Sequence, residues 1–257
     1  MLIYAWFANN NTVKANNMSV IATAKVEFLE IQNVGTNFDG GTVAVDATNA
    51  GNTTDLNLKP VTPFTVADLT KNGSENTDQI AKSSNASDAG YKDGFIWTWT
   101  IADTGLSSAK GSEAPWTRAD FSGSDKYYLL NNFKFRTTVD GVETDKLYAD
   151  DITVSGLTSN SLDEAVRVMI VGPKGMQIYD VGESSWSYYD ENGAKVEKQS
   201  FLGLIDKVVY KEANDDSQSI KVFTYYEGDD TKLFTANLNS MSGVSVGITF
   251  SVDGTSF

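Results

Sequence analysis

The run Val244-Ser245-Val246-Gly247-Ile248-Thr249-Phe250-Ser251-Val252 alternates between branched or aromatic side chains and small polar ones. A period of two places alternate residues on opposite faces of an extended chain, so this pattern predicts a half-buried β-strand. A second run, residues 95–101, puts Phe95, Trp97, Trp99 and Ile101 on one face and Thr98 and Thr100 on the other. Working outward from these two, further strands are expected at Val26 to Ile31, Thr42 to Val45, Phe133 to Thr138, Lys146 to Val154, Val166 to Val171, Met176 to Val181 and Ile220 to Tyr226. Asp-Gly or Asn-Gly pairs at 39–40, 72–73, 93–94, 140–141, 192–193 and 253–254 supply turns that tolerate positive φ.

Helix signals are few. Ser161-Leu162-Asp163-Glu164 has capping-box spacing, but β-branched residues follow within a turn or two. Phe201 to Tyr210 fits either a short helix or a strand. Residues 70–90 and 103–126 read as long surface loops, the second pinned by Trp116. No repeat and no Pro/Gly linker divides the chain. Many strands, few helices and long loops predict an all-β fold: a jelly-roll type β-sandwich with a few short helices, residues 13–257 forming one domain.

Composition narrows the chemistry. The 257 residues carry 20 basic and 34 acidic side chains, a formal net charge of −14. That balance argues against a nucleic-acid surface, which needs clustered Lys and Arg. The chain has no His and no Cys, so Ser-His-Asp and Cys-His catalysis, imidazole or thiolate zinc sites, haem and iron–sulfur ligation and disulfides are all excluded. Carboxylate chemistry, Lys nucleophiles and hard-cation sites survive.

None of these forms a motif. Acidic pairs recur at Asp150-Asp151, Asp190-Glu191, Asp215-Asp216 and Asp229-Asp230, but no calcium-loop spacing gathers them, and they read as solvated loop acids. No alternating acid signature of a glycosidase strand is present. The expectation is therefore a non-enzymatic chain without cofactor or metal. Arg167, inside the apolar strand 166–171, calls for a nearby acid as partner. Trp186, Tyr188 and Tyr189 in WSYYD are the candidates for stacking on a glycan, although aromatic clusters of this kind also mark protein contacts. Asn10, Asn17, Asn52, Asn72 and Asn85 head N-x-S/T triplets, expected by chance in a chain this rich in Asn, Ser and Thr.

Residues 1–8, MLIYAWFA, are too short to span a bilayer, which takes about 20 residues. They are either the end of a signal or anchor segment or an extended strand. As a strand, Leu2, Tyr4, Trp6 and Ala8 point one way and Ile3, Ala5 and Phe7 the other, so both faces are apolar. Such a strand has to be buried on both sides, inside its own domain or inside a neighbour.

The run YAWFANNNTVKANNMSVIATA resembles the start of TasA and camelysin-like secreted proteins, the substrates of SipW-type signal peptidases. The resemblance rests on Ala5-Trp6-Phe7, the polar stretch Asn9 to Thr12 and Met18-Ser19-Val20, then on FKFRTT at 133–138 with KLYADDITV at 146–154, AVRVMIV at 165–171 and VFTYYEGDD at 222–230. It departs from that group in beginning with MLIY, where a mature product usually starts nearer Trp6. The resemblance implies a secreted structural subunit of an extracellular filament of the biofilm matrix or cell surface. Its partners would be copies of itself, either alone or together with an accessory or anchoring subunit, and the mature chain would have no membrane span. Residues 1–12 would then comprise the donor strand Leu2, Ile3, Tyr4, Ala5, Trp6, Phe7 and Ala8 and a polar hinge Asn9, Asn10, Asn11 and Thr12. An open sheet edge that takes up such a strand gains main-chain hydrogen bonds, and the head-to-tail contact does not close. The rival expectation is a carbohydrate-binding or adhesive surface module.

Overall fold

The computed structural model describes residues 11–15, 18–24, 29–33, 58–65, 76–100, 116–122, 127–138, 140–155, 162–212, 215–228, 230, 245–253 and 255–256. The apolar run 1–8, the expected strand Thr42 to Val45, and loop residues 70–75, 103–115 and 123–126 lie outside the described residues.

Strands are numbered in chain order. One sheet has four, in the order β1 (Asn11–Ala15), β2 (Met18–Ala24), β20 (Ser245–Val252) and β13 (Leu147–Ser155). The β2–β20 contact is parallel and the other two are antiparallel. The other sheet has seven, in the order β17 (Lys195–Val196), β16 (Ser185–Asp190), β15 (Gly175–Asp180), β14 (Val166–Val171), β19 (Ser219–Tyr226), β11 (Tyr128–Thr137) and β3 (Leu29–Asn33). All its pairings are antiparallel.

The alternation that predicted strands also sorts side chains into two cores. Leu129, Phe133 and Phe135 of β11, Val166, Val168 and Ile170 of β14, and Ile220 and Val222 of β19 share a core with Ala149, Ile152, Val246, Ile248 and Phe250 of the smaller sheet. The rings of Phe135 and Phe250 meet edge-on at 5.1 Å. This is the all-β sandwich that the alternation predicts. The intervening residues Tyr128, Leu130, Met169, Met176, Ile178, Phe223 and Tyr225 line a second core on the far face of the larger sheet.

A lobe of short strands covers that second face: β4 (Val61–Thr62), β5 (Phe64–Thr65), β6 (Asn76–Ile80), β7 (Tyr91–Lys92), β8 (Phe95–Ile96), β9 (Thr98–Thr100) and β10 (Trp116–Arg118). Trp97 is its anchor, fully buried with ring centroids 4.6 Å from Tyr128, 5.5 Å from Phe223 and 5.6 Å from Tyr225. Burying one indole of this size contributes on the order of 4 kcal/mol before entropy is counted. The middle strands of the larger sheet are therefore covered on both faces, which explains why β14 and β15 are apolar almost throughout. A third group, β12 (Glu143–Thr144), β18 (Val208–Val209) and β21 (Thr255–Ser256), closes one end. There the buried Gln218 amide takes a hydrogen bond from the Val209 N–H and donates to the carbonyls of Val209 and Phe135. Helical structure among the described residues is two 3₁₀ turns, Leu162–Ala165 and Lys198–Ser200.

Several expectations change in detail. The strand at 95–101 is broken at Trp97, because β8 pairs with β7 across the Asp93-Gly94 turn whereas β9 pairs with β4 and β10. Both turn residues have positive φ, 55° and 101°, as a two-residue hairpin requires. The expected loop 70–90 contains β6, whose Ile80 is buried in the second core. The expected loop 103–126 contains β10, which pairs with β9. Residues 201–210 are neither helix nor long strand: Ile205 makes one isolated bridge to Leu147 of β13, Val208–Val209 form β18, and Tyr210 bridges to Thr137 of β11.

Candidate functional site

The WSYYD cluster is strand β16, and pairing with β15 sends its side chains alternately to the two faces. Trp186 and Tyr188 lie half-buried on the sandwich side. Trp186 packs edge-on against Tyr179 at 5.0 Å, and the Tyr188 ring lies tilted against Phe201 at 5.2 Å. Burial, then the charge of Asp150 and the nearby Tyr148, hold the Tyr188 phenol above its ordinary pKa. Tyr189 points the other way into the second core, 1% exposed, with its hydroxyl donating to the Thr77 carbonyl at 3.0 Å. Tyr189 is thus corrected from a glycan candidate to a core residue, because a ring without an open face offers nothing to stack on. Beside Trp186 and Tyr188 lies a cleft of about 640 Å³, completed by Asp78, Ser187, Lys195, Val196, Glu197 and Lys198.

The larger sheet has seven strands to the four of the sheet packed on it, and β13, at the edge of the smaller sheet, lies over β15. Two contacts fix that placement. Leu147, at the start of β13, donates its N–H to the Ile205 carbonyl at 2.9 Å and accepts from the Leu204 N–H at 2.7 Å. Two residues on, Ala149 donates to Oε1 of Gln177 at 2.8 Å and accepts from its Nε2 at 2.9 Å. Gln177 is fully buried on β15, and Lys174, just before β15, donates its N–H to the carbonyl of the same Leu204 at 3.1 Å, so β13 runs over β15 in the same direction.

The outward main-chain groups of Leu147 and Ala149 are therefore bonded, one set by residues 204–205 and the other by a side chain that imitates a strand. Beyond Ala149 a bulge follows, with Asp150 extra against the partner strand and Asp151 opposite Thr249. One inserted residue shifts the parity of the ladder, so from there Ile152 and Val154 aim their N–H and C=O groups outward. Among the described residues no strand pairs with this stretch of edge. Val154, Tyr179, Val181 and Trp186 are all partly buried apolar side chains packed on the main core.

Arg167 has the acidic partners expected of it. Its guanidinium lies 2.9 Å from both Asp180 and Asp230 and donates to the Glu164 carbonyl at 2.7 Å. Burial lowers its pKa, but the charges of Glu227, Asp180 and Asp230 outweigh this and hold the pKa above its ordinary value. Other loop acids cap turns: Asp190 accepts from the N–H groups of Asn192 and Ala194, and Asp215 from Ser217. Asn85, the one N-x-S/T asparagine within the described residues, donates Nδ2 to Asp88 at 2.7 Å.

Of the expected N-terminal site, Leu2, Ile3, Tyr4, Ala5, Trp6, Phe7 and Ala8, with Asn9 and Asn10, lie outside the described residues. Asn11 and Thr12 open β1, opposite Ala22 and Ile21 of β2. Strand β1 is the edge of the four-stranded sheet opposite to β13. Among the described residues no helix is long and apolar enough to cross a membrane.

Gln177, Ile152, Val154 and Tyr179 were not singled out from the sequence. The one signal was a glutamine within the apolar run Met176 to Val181, which calls for a buried polar partner. Comparison with protein-family models, curated proteins and solved structures finds no match to this chain.

Proposed function

We propose that this chain is a non-enzymatic structural subunit of an extracellular filament, polymerising head-to-tail as the N-terminal strand of one copy is taken up by the next. The observation that carries this reading is the segment Leu2 to Ala8, apolar on both faces and joined by a short polar stretch to the edge strand β1. Main-chain hydrogen bonds to a neighbour's sheet edge and apolar pockets for alternate side chains give such a segment a reason to be there. The resemblance of the N-terminal run and four internal stretches to TasA and camelysin-like secreted proteins supports the same reading, including secretion.

Negative-stain electron microscopy of the purified chain beside a version lacking residues 1–10 tests it. Filaments from the first and monomers from the second are expected. Trp6→Asp should also abolish polymerisation while leaving the body folded, because an isolated charge is not desolvated in an apolar groove. Wild-type filaments from that variant would end the donor-strand reading.

A second reading is favoured by the cleft beside Trp186 and Tyr188, where aromatic faces and charged groups converge as in carbohydrate sites. It predicts glycan binding that is lost in Trp186→Ala. A glycan array without binders would remove it.

A further inference from the structure

We infer that the acceptor for the N-terminal strand is the outer edge of β13 at Asp151–Ser155, above Tyr179, Val181 and Trp186, and that its occupant is residues 2–8 of a second copy of this chain. The inference rests on the filament reading and specifies where one subunit enters the next.

Chain reach selects a second copy over the chain's own N-terminus. The order β1-β2-β20-β13 places a strand added outside β13 four strand spacings from β1, about 19 Å at ~4.8 Å each. The three steps from Asn11 back to Ala8 span at most roughly 10 Å. A chain cannot therefore lay residues 2–8 on its own β13, whereas another copy can. Donor and acceptor sit on opposite edges of one sheet, so each copy that receives a strand still offers its own.

The edge itself selects the position. At Leu147 and Ala149 the outward groups are bonded by residues 204–205 and by Gln177. Past the bulge, Ile152 and Val154 present theirs with no described strand alongside. The face bearing Leu2, Tyr4 and Trp6 matches the aromatic and branched floor of Tyr179, Val181 and Trp186, and the face bearing Ile3, Ala5 and Phe7 is left to contacts between successive bodies.

The absence of cysteine makes disulfide trapping direct. Full-length Ala5→Cys/Thr153→Cys and Ala5→Cys/Ser155→Cys chains, mildly oxidised, are expected to give a ladder of multimers on non-reducing gels. The single variants should stop at dimers. Ala5→Cys/Lys195→Cys, which carries its second thiol on edge strand β17, should give no ladder. Wild-type filaments with no ladder from either β13 pair, or with a ladder from the β17 pair instead, would overturn the acceptor assignment while leaving the filament standing. No filaments and no ladders would remove both.

Val154→Pro adds an independent arm. It deletes an outward N–H that the β13–β20 ladder does not use, as edge strands tolerate. Expected are loss of filaments and a circular dichroism spectrum that keeps its strand signature, with the melt lowered only by the lost Val154 packing. Wild-type filaments from Val154→Pro would overturn the assignment, and the cysteine pairs decide should that variant fail to fold.

Discussion

Replacing Gln177 by Met keeps the length of the side chain and removes only its hydrogen-bonding amide. In the native protein that amide satisfies both main-chain groups of Ala149, at 2.8 and 2.9 Å, in a site where neither residue sees solvent. Each buried peptide group left without a partner costs about 1–3 kcal/mol. Part of this is offset, because a thioether is buried without the desolvation cost of an amide, about 1–2 kcal/mol. The expected net loss is about 2–3 kcal/mol. Urea unfolding of the unassembled chain, followed by tryptophan fluorescence, measures it. With a slope of about 3 kcal/mol/M for a domain of this size, the midpoint should fall by roughly 1 M with the slope unchanged. The same loss should loosen the bulge that sets which residues of β13 point outward, so filament yield should fall further than stability alone accounts for. A midpoint shift below about 0.2 M would refute the claim that Gln177 substitutes for a strand at this edge.

Arg167→Met leaves Asp180, Asp230 and Glu227 close together without their cation, and a loss of about 3 kcal/mol is expected in the same urea assay. Arg167→Lys should recover only part of this, since one ammonium does not span two carboxylates as a guanidinium does. Gly193 has φ +91°, and an added Cβ would lie 2.8 Å from the Ile80 carbonyl oxygen, so Gly193→Ala should lower stability by at least ~1 kcal/mol and reduce the melting temperature. Tyr128 is buried and donates to Asp93 at 2.5 Å; desolvation, then that bond and the carboxylate's charge, raise its pKa far above the ordinary value. The neutral phenol is the form the fold stabilises. Its contribution is therefore intact below about pH 10, the ordinary tyrosine value, and declines as pH rises from there toward the raised folded value. Alkaline denaturation should begin near pH 10 and be shallower in Tyr128→Phe, read by circular dichroism against pH.

The strands most legible in the sequence are those with one wet face. Val244 to Val252 alternates because β20 lies in the thinner sheet, and Lys146 to Val154 was found to within one residue of β13 for the same reason. Strand β11 was legible only from Phe133 onward. Its first five residues, Tyr128 to Asn132, lie between two cores and show no alternation to read. In the covering lobe residues 95–101 were legible as a strand, but β4, β5, β7 and β10 were not, because two or three residues carry no period, nor was β6, whose NTDQI is polar up to Ile80. Their position is set by contacts far along the chain, such as the Tyr189 hydroxyl on Thr77 and the Lys82 ammonium on the Glu191 carbonyl. In the site, Arg167 was legible as a residue needing an acid. The open stretch of β13 was not, because the pair Asp150-Asp151 looks the same in a solvated loop as in a bulge that reverses the parity of a ladder.

That bulge also bears on how an edge that no described strand covers would avoid indiscriminate pairing. Long flat edges invite other chains, and proteins blunt them with bulges, charges and covering segments. Here residues 204–205 and Gln177 seal the beginning of the β13 edge, and Asp150 and Asp151 stand exposed at the bulge. Among the described residues, what remains without a paired strand is a stretch of about five residues, near the length of a single apolar segment and too short to template an unrelated sheet. An incoming strand would have to carry no acid beside Asp150 and Asp151, and residues 1–12 contain none. A chain of net charge −14 repels its copies at a distance, so a segment without acidic side chains is the part best able to approach. Raising ionic strength should therefore speed assembly, as screening weakens repulsion between bodies, while the apolar contact itself is unaffected. Light scattering of the wild-type chain at 20 and 300 mM NaCl checks this, and slower growth at the higher salt would mean that charge attraction, not an apolar strand, joins the subunits.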